Sequence, residues 1–144
     1  MKQLFLIIGL LTTAYSTTAQ NLHLYGGDDY TVYLGCLDCS RFDSKSIWNA
    51  FGDYGSSFSN TSIWNDLNNY GDANNPFSPW NTVSNKEPKI MDDAGKFQGY
   101  LSANLSLKGR ATSRLAGELV KKYEEIPTDL GKWYKKLIVD YSKL

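Results

Sequence analysis

The chain has 144 residues, with 15 basic and 15 acidic side chains, so its formal net charge is zero. A balanced charge argues against electrostatic binding to nucleic acid or to an anionic lipid surface. Beyond the N-terminal region the chain is rich in Tyr, Trp, Asn, Ser and Gly and poor in Val. Aromatic residues must then supply much of the core, which is typical of a loop-rich extracellular module rather than of a doubly wound enzyme.

The N-terminus has the pattern of an export signal. Lys2 supplies a positive charge, residues 4–11 are apolar, and small or hydroxyl-bearing residues lead to Ala19. The apolar run is far shorter than the ~20 residues that a spanning helix needs. We therefore predict a signal peptide over residues 1–19 that is cleaved after Ala19, with a retained anchor as the alternative. We expect residues 20–144 to form one domain without a transmembrane segment, either secreted or located in the periplasm or cell envelope.

Two similar segments 64 residues apart predict β-hairpins. Residues 33–37 (YLGCL) align with residues 97–101 (FQGYL), and a turn rich in Asp and Gly precedes each segment. This pattern predicts one hairpin over residues 22–39 and another over residues 88–105. Because an isolated hairpin is marginally stable in water, we expect the two to pair into one small antiparallel sheet.

A 16-residue repeat occupies residues 40–87, between the two predicted hairpins. The sequence Ser-Ile-Trp-Asn begins at Ser46 and again at Ser62, and Ser-Pro-Trp-Asn begins at Ser78. A degenerate last copy is expected of a terminal repeat. Each copy predicts a short helical turn, because Ser or Asp can cap its first turn and Asn with a nearby Gly can end it.

Residues 110–144 predict two helices separated by Pro127. A period of 3.6 begins near Thr112, and Thr128 is a candidate cap for the second helix. The second helix carries an apolar stripe of Leu130, Trp133, Tyr134, Leu137, Ile138 and Tyr141. We expect the stripe to pack on the rest of the domain, with docking on a partner or membrane surface as the alternative. The predicted fold is α+β, in which two hairpins form a small antiparallel sheet and bracket the helical-turn repeats, and two helices follow.

The first repeat resembles repeats of uncharacterised exported bacterial proteins. The resemblance lies in residues 46–56 (SIWNAFGDYGS), which combine Ser-Ile-x-Asn with aromatic-Gly-x-Tyr-Gly-Ser, and it extends over about residues 30–105. The second copy departs from the pattern, with Leu67 and Asn68 in place of the aromatic-Gly pair. The resemblance implies no catalytic residues and carries no assigned activity.

Cys36 and Cys39 form the sharpest chemical motif, Cys-x-x-Cys. No βαβ pattern surrounds them, so we favour a local structural disulfide or a buried thiol pair over a thioredoxin-like redox site. Two thiolates make only half of a zinc shell and His23 is the one histidine, so we predict no metal site.

Trp48, Trp64 and Trp80 recur in phase, with Tyr54 and Tyr70 beside them. If the row is exposed, the indoles can stack on sugar rings. If it is buried, they form a core ladder, which we favour because the chain is poor in aliphatic residues. These five residues are the candidate ligand contacts.

The sequence predicts no catalytic residue and no cofactor. A Ser-His-Asp arrangement would have to use His23, and no spacing singles out a pair of carboxylates. Our leading hypothesis is an exported, non-enzymatic module that binds a protein or a surface glycan. One alternative is a thiol-redox or metal-linked accessory protein that uses Cys36 and Cys39. Another is a structural companion domain that docks through its C-terminal helix.

Overall fold

The computed structural model describes residues 20–144, so the predicted signal peptide lies outside the described residues. One antiparallel sheet has the strand order β2-β1-β3-β4. Its strands are β1 (Leu22–Gly26), β2 (Val32–Cys36), β3 (Lys89–Asp92) and β4 (Phe97–Tyr100), and the helices are α1 (Arg114–Lys122) and α2 (Leu130–Tyr134). These elements confirm the α+β class, with a small antiparallel sheet and two helices. No helix within residues 20–144 has both the length and the apolar character needed to cross a membrane.

The sheet contains two similar irregularities, each beside a glycine. In both the β1–β2 pair and the β3–β4 pair the register skips one residue, next to Gly35 and next to Gly99. Their φ angles are 112° and 109°, which side chains of L-residues rarely adopt. A Cβ at Gly35 would lie 2.7 Å from the Cβ of Tyr54, and a Cβ at Gly99 would lie 2.7 Å from the Cα of Ala111. The two glycines therefore allow later segments of the chain to cross close against the sheet.

Residues 40–86 form a run of successive turns, which we call the turn chain. In most turns a backbone N–H donates to the carbonyl three residues earlier, and in those that end at Ser56 and Asp72 it donates to the carbonyl four residues earlier. The turns follow one another without extending into a helix. Between residues 56 and 72 the chain takes four three-residue steps and one four-residue step. One such round advances the chain by 16 residues, which is the spacing of the tryptophans.

Polar side chains close these turns. Nearly every turn begins with Ser, Asn or Asp, whose side-chain oxygen accepts the N–H two residues further on. The residues that do so are Ser40, Asp43, Ser46, Asn49, Ser56, Ser59, Ser62, Asn65, Asn68, Asp72, Asn75, Ser78, Asn81 and Ser84. The side chains thus supply acceptors that a helix or sheet would otherwise supply from the backbone.

The three repeat tryptophans stack in the core. Trp48, Trp64 and Trp80 are 1%, 5% and 2% exposed, and the centroids of successive rings lie 6.2 Å and 5.6 Å apart. Tyr134 packs on the first indole and Tyr123 stacks on the last, so the C-terminal region closes both ends of the ladder. Each indole N–H donates to a buried carbonyl, and the acceptors are Leu37, Ile47 and Ile63 respectively.

The C-terminal helical region packs part of its predicted apolar stripe inward, whereas the last residue of the stripe, Tyr141, is 49% exposed. Leu130, Trp133 and Leu137 are all buried. Asp129 caps α2 by accepting the N–H of Lys132 at 3.0 Å. The residue predicted to cap it, Thr128, donates its hydroxyl instead to the carbonyl of Glu125. A short π-helical turn, Lys135–Val139, continues α2.

Gly55 and Gly71 lie where the turn chain folds back on itself. A Cβ on Gly55 would lie 2.1 Å from the carbonyl oxygen of Asn49, and one on Gly71 would lie 2.0 Å from that of Asn65. These contacts are with backbone atoms, which cannot move aside without breaking turn hydrogen bonds.

We expect Gly55→Ala and Gly71→Ala each to lower the free energy of unfolding by about 2–3 kcal/mol, because the added methyl overpacks against backbone. Gly117→Ala on α1 is the matched control, since nothing lies within 4 Å of its Cβ position. It should raise stability by about 0.5–1 kcal/mol through helix propensity. Urea denaturation measures all three, and a Gly55→Ala protein of unchanged stability would contradict the close contact.

Glu87 is a buried carboxyl group at the end of the turn chain. Its Oε1 accepts the hydroxyl of Ser102 at 3.0 Å, whereas its Oε2 has no hydrogen-bond partner. Burial raises the pKa of Glu87 above its ordinary value of 4.5. The folded protein therefore binds this proton more tightly than the unfolded chain does.

Because the pKa of Glu87 is higher in the folded state, stability falls as pH rises above about 4.5 until the folded-state pKa is passed. Glutamine is always neutral, so Glu87→Gln should remove this pH-dependent loss of stability. At pH 7 we expect the variant to have a higher free energy of unfolding than the wild-type protein. Urea midpoints at pH 4 and pH 7 measure the difference, with Glu118→Gln on α1 as the control. Equal pH dependence in the unchanged chain and Glu87→Gln would rule out the effect.

Candidate functional site

The sheet has one apolar face in the core and one aromatic, polar face turned outward. Alternate side chains of a strand point to opposite faces. In β1, Leu24 is buried, whereas His23 and Tyr25 on either side of it are partly exposed. Their partners on β3 are Met91 and Lys89, so these four side chains share the outward face. We call this surface, together with Tyr30 and Tyr33, the tyrosine face.

Three tyrosines form the walls of this face. Tyr33 on β2 meets Tyr25 and Tyr54 edge-on, with ring centroids 5.2 Å and 5.0 Å away. Tyr30, in the β1–β2 turn, has a φ of 59°. A bulky residue rarely adopts this left-handed conformation, and such strain concentrates at ligand sites. The ammonium group of Lys89 lies 4.2 Å from the centre of the Tyr30 ring.

The tyrosine face encloses an open cavity of about 580 Å³. Lys45 from the turn chain and the β3–β4 turn, residues 92–95, complete its rim. This volume is within the range of small-molecule sites in proteins, which are lined by aromatic side chains with a few polar groups.

His23 links two elements of the face through hydrogen bonds. Its Nδ1 lies 2.8 Å from the hydroxyl of Tyr33, and its Nε2 lies 2.7 Å from Oδ1 of Asp93. Burial, followed by the neighbouring phenols of Tyr25 and Tyr54, raises the pKa of Tyr33, so this hydroxyl keeps its proton. The carboxylate of Asp93 can only accept, so Nε2 donates to it and, in the neutral ring, Nδ1 accepts from Tyr33. The hydrogen bond from His23 lowers the pKa of Asp93. Because both of its nitrogens are hydrogen-bonded, His23 holds Tyr33 and Asp93 in place and has no free nitrogen to act as a base.

The predicted contact residues divide into three groups. Trp48, Trp64 and Trp80 lie in the core ladder and are at most 5% exposed. Trp64 and Trp80 also line a second cavity of about 580 Å³, together with Tyr123. Tyr54 is half-buried against Tyr33, at the edge of the tyrosine face. Tyr70 is half-buried elsewhere, against Phe77 and behind Gly26.

Sequence reasoning missed the tyrosine face itself. The available signal was the alternation of His23 and Tyr25 about Leu24, and of Lys89 and Met91 about Ile90. Such alternation indicates strands with one buried face and one solvated face.

Cys36 and Cys39 form a disulfide. Cys36 is fully buried and Cys39 is 7% exposed, so neither sulfur is open to a substrate. The side chain of Asp38, between them, accepts the N–H of Leu22 at 2.8 Å. The closed loop thereby fixes the start of β1. Within residues 20–144, no three His, Cys, Asp or Glu side chains are grouped as metal ligands.

A second surface consists of apolar side chains on the outside of the turn chain. Phe51, Leu67 and Val83 follow one another at 16-residue intervals and are 100%, 91% and 84% exposed. Phe42 and Phe58 form a similar exposed pair. We call the first three residues the apolar row. A contiguous exposed apolar patch is a common feature of interaction surfaces.

No known protein family matches this chain, and neither the curated proteins nor the solved structures contain a match.

All four tryptophans, including Trp133, are buried in the described structure. We therefore expect the folded protein to show blue-shifted tryptophan emission that acrylamide quenches weakly, and a red shift on unfolding. Trp133→Phe isolates the signal of the ladder and should keep both properties. Red-shifted, readily quenched emission from a protein with intact circular dichroism would be incompatible with a buried ladder.

Proposed function

We propose that this chain is an exported, non-enzymatic binding module and that its tyrosine face binds a glycan. The observation that carries the proposal is the cavity of about 580 Å³ walled by Tyr25, Tyr30 and Tyr33. Flat aromatic rings bind the apolar faces of sugar rings, while hydroxyl and ammonium groups at the rim bind sugar hydroxyls. The strained backbone of Tyr30 supports the same conclusion, because it holds a ring over the cavity.

The arrangement of titratable groups favours binding over catalysis. Both nitrogens of His23 are engaged by Tyr33 and Asp93. The raised pKa of Tyr33 keeps its phenol protonated, so it is a hydrogen-bond donor and not a nucleophile. Geometry of this kind holds the aromatic walls in place and leaves neither nitrogen of His23 free to accept a proton from a ligand.

We propose that the 16-residue repeats act as a rigid scaffold for this face, as the resemblance to exported bacterial repeat proteins suggests. The turn chain contributes Tyr54, whose ring packs on Tyr33. It also contributes Lys45, whose carbonyl accepts the N–H of Cys36 at 2.7 Å. A binding site held by packed, hydrogen-bonded elements loses less conformational entropy when its ligand binds.

Two alternatives have less support. A thiol-redox role for Cys36 and Cys39 requires an accessible sulfur, and both sulfurs belong to buried residues. Docking through the C-terminal helix requires a free apolar stripe, and Leu130, Trp133 and Leu137 are already packed in the core.

A protein-binding function is the second candidate, and the apolar row favours it. Phe51 is fully exposed and Leu67 nearly so. Leaving such side chains in water forgoes about 1.5–3 kcal/mol of burial free energy per residue. A partner protein would recover that free energy.

We expect Tyr25→Ala and Tyr30→Ala each to weaken glycan binding at least about tenfold, because each removes a stacking surface from the cavity. Binding is measured by retention on immobilised β-1,4-glucan, xylan, alginate and polygalacturonate. Tyr141→Ala, an exposed tyrosine near the C-terminus, is the matched control and should bind normally.

Phe51→Ser in the apolar row separates the two candidate functions. If the tyrosine face is the glycan site, this variant keeps full binding. Retention that depends on Phe51 but is indifferent to Tyr25 and Tyr30 would transfer the function to the apolar row. Failure of the folded, unchanged protein to bind any of the four polymers would exclude the glycan proposal for these sugars.

A further inference from the structure

We propose that the glycan is a linear chain that lies across the strands of the sheet and contacts all four of them; this inference rests on the proposed function. It concerns the length and shape of the ligand, which the cavity alone does not define. The argument depends on the register of the strands.

One cross-strand row runs through the tyrosine face. Tyr25 on β1 pairs with Tyr33 on β2 on one side and with Lys89 on β3 on the other. Lys89 pairs in turn with Tyr100 on β4. Residues directly opposite one another in neighbouring strands share a face, so the four side chains form a continuous row.

Aromatic rings occupy both ends of this row. Tyr54 packs edge-on against Tyr33 at the β2 end. At the β4 end, the ring of Tyr100 lies 5.0 Å from that of Phe97, which is 44% exposed. Tyr30 lies beside Lys89 and Tyr100, with its ring centroid 6.1 Å from that of Tyr100.

The row is longer than one sugar ring. Four strands are separated by three spacings, which place β2 and β4 about 14 Å apart. Tyr54 extends the aromatic surface beyond β2, and Phe97 extends it along β4. A single sugar would fill the cavity between Tyr25 and Tyr30 and leave these end rings unused, whereas several linked rings would cover them.

The shape of the row favours a flat, extended ligand. A β-1,4-linked chain presents successive ring faces along an extended ribbon, which matches a row of side chains that crosses the strands. Lys89 lies in the row, and it has no carboxylate partner among residues 20–144. Its ammonium group is therefore available to hydroxyl or carboxylate oxygens of the chain.

The rim carboxylates are already occupied by the protein. Asp93 accepts from His23 and from the N–H of Asn21. Asp92 accepts two backbone N–H groups of the β3–β4 turn and the amide of Gln98. Each of these carboxylates is thus held by at least two protein donors, and the ammonium groups of Lys45 and Lys89 are the cations that the cavity lining offers to ligand oxygens.

The test is titration calorimetry with β-1,4-linked glucose oligomers of one to six units and with oligogalacturonates of the same lengths. We expect affinity to rise at least about tenfold between the two-unit and the four-unit oligomer, as more aromatic rings are covered. The two series separate a neutral from an anionic chain, and a rise in either series supports the inference.

Variants at the two ends of the row locate the chain. Tyr54→Ala and Phe97→Ala should each weaken binding of the six-unit oligomer by about tenfold and leave the two-unit oligomer within about twofold. Phe97 is exposed on an edge strand, so its variant keeps the test valid if Tyr54→Ala unfolds. Tyr141→Ala is again the control.

The outcomes distinguish this inference from the proposed function. Equal affinity for all lengths, together with a loss in Tyr25→Ala, overturns the linear-chain inference and leaves the glycan site in place. The linear-chain inference is also overturned if affinity rises with oligomer length but neither Tyr54→Ala nor Phe97→Ala weakens binding of the six-unit oligomer. If no oligomer and none of the four polymers binds, both the inference and the proposed function fail.

Discussion

The structure depends on one recurring interaction, in which a side-chain oxygen at the start of a turn accepts the N–H two residues further on. Between residues 40 and 86 the chain has no helix and forms no named strand, yet its turns are hydrogen-bonded. Ser, Asn and Asp at three-residue intervals make this possible, because each supplies a local acceptor. The turns also fix where the tryptophans point, and the tryptophan ladder shares one hydrophobic core with Leu24 of the sheet and Leu119 of α1.

The sequence predicts the large features because each of them depends on a strong local pattern. Two similar segments, each preceded by a turn rich in Gly and Asp, indicate the strands, a period of 3.6 indicates the helices, and Pro127 separates the helices. The local geometry of the turn chain is less accessible. The copies of Ser-Ile-Trp-Asn recur every 16 residues, but the structure is built from turns of three residues. The sequence pattern that indicates these turns is Ser, Asn or Asp at every third position.

The tyrosine face is beyond sequence reasoning for a different reason. Its central row requires Tyr25, Tyr33, Lys89 and Tyr100 to be in register, and the register skips a residue in both outer strand pairs. A shift of one residue turns every side chain of a strand to the opposite face. The left-handed backbone of Tyr30 is equally hard to foresee, because tyrosine has little intrinsic preference for it. His23, weighed in the sequence as a catalytic base, instead joins Tyr33 to Asp93.

The hydrogen bonds of the ladder all point back along the chain. Trp48 donates to a carbonyl 11 residues before it, and Trp64 and Trp80 each donate to one 17 residues before. A chain that emerges from a narrow channel with its N-terminus first therefore presents every acceptor before the matching indole arrives. The order of the sequence is also an order of assembly, in which each round of turns can lock onto the previous one without waiting for residues still inside the channel. Only the two tyrosines that close the ladder arrive after it is complete.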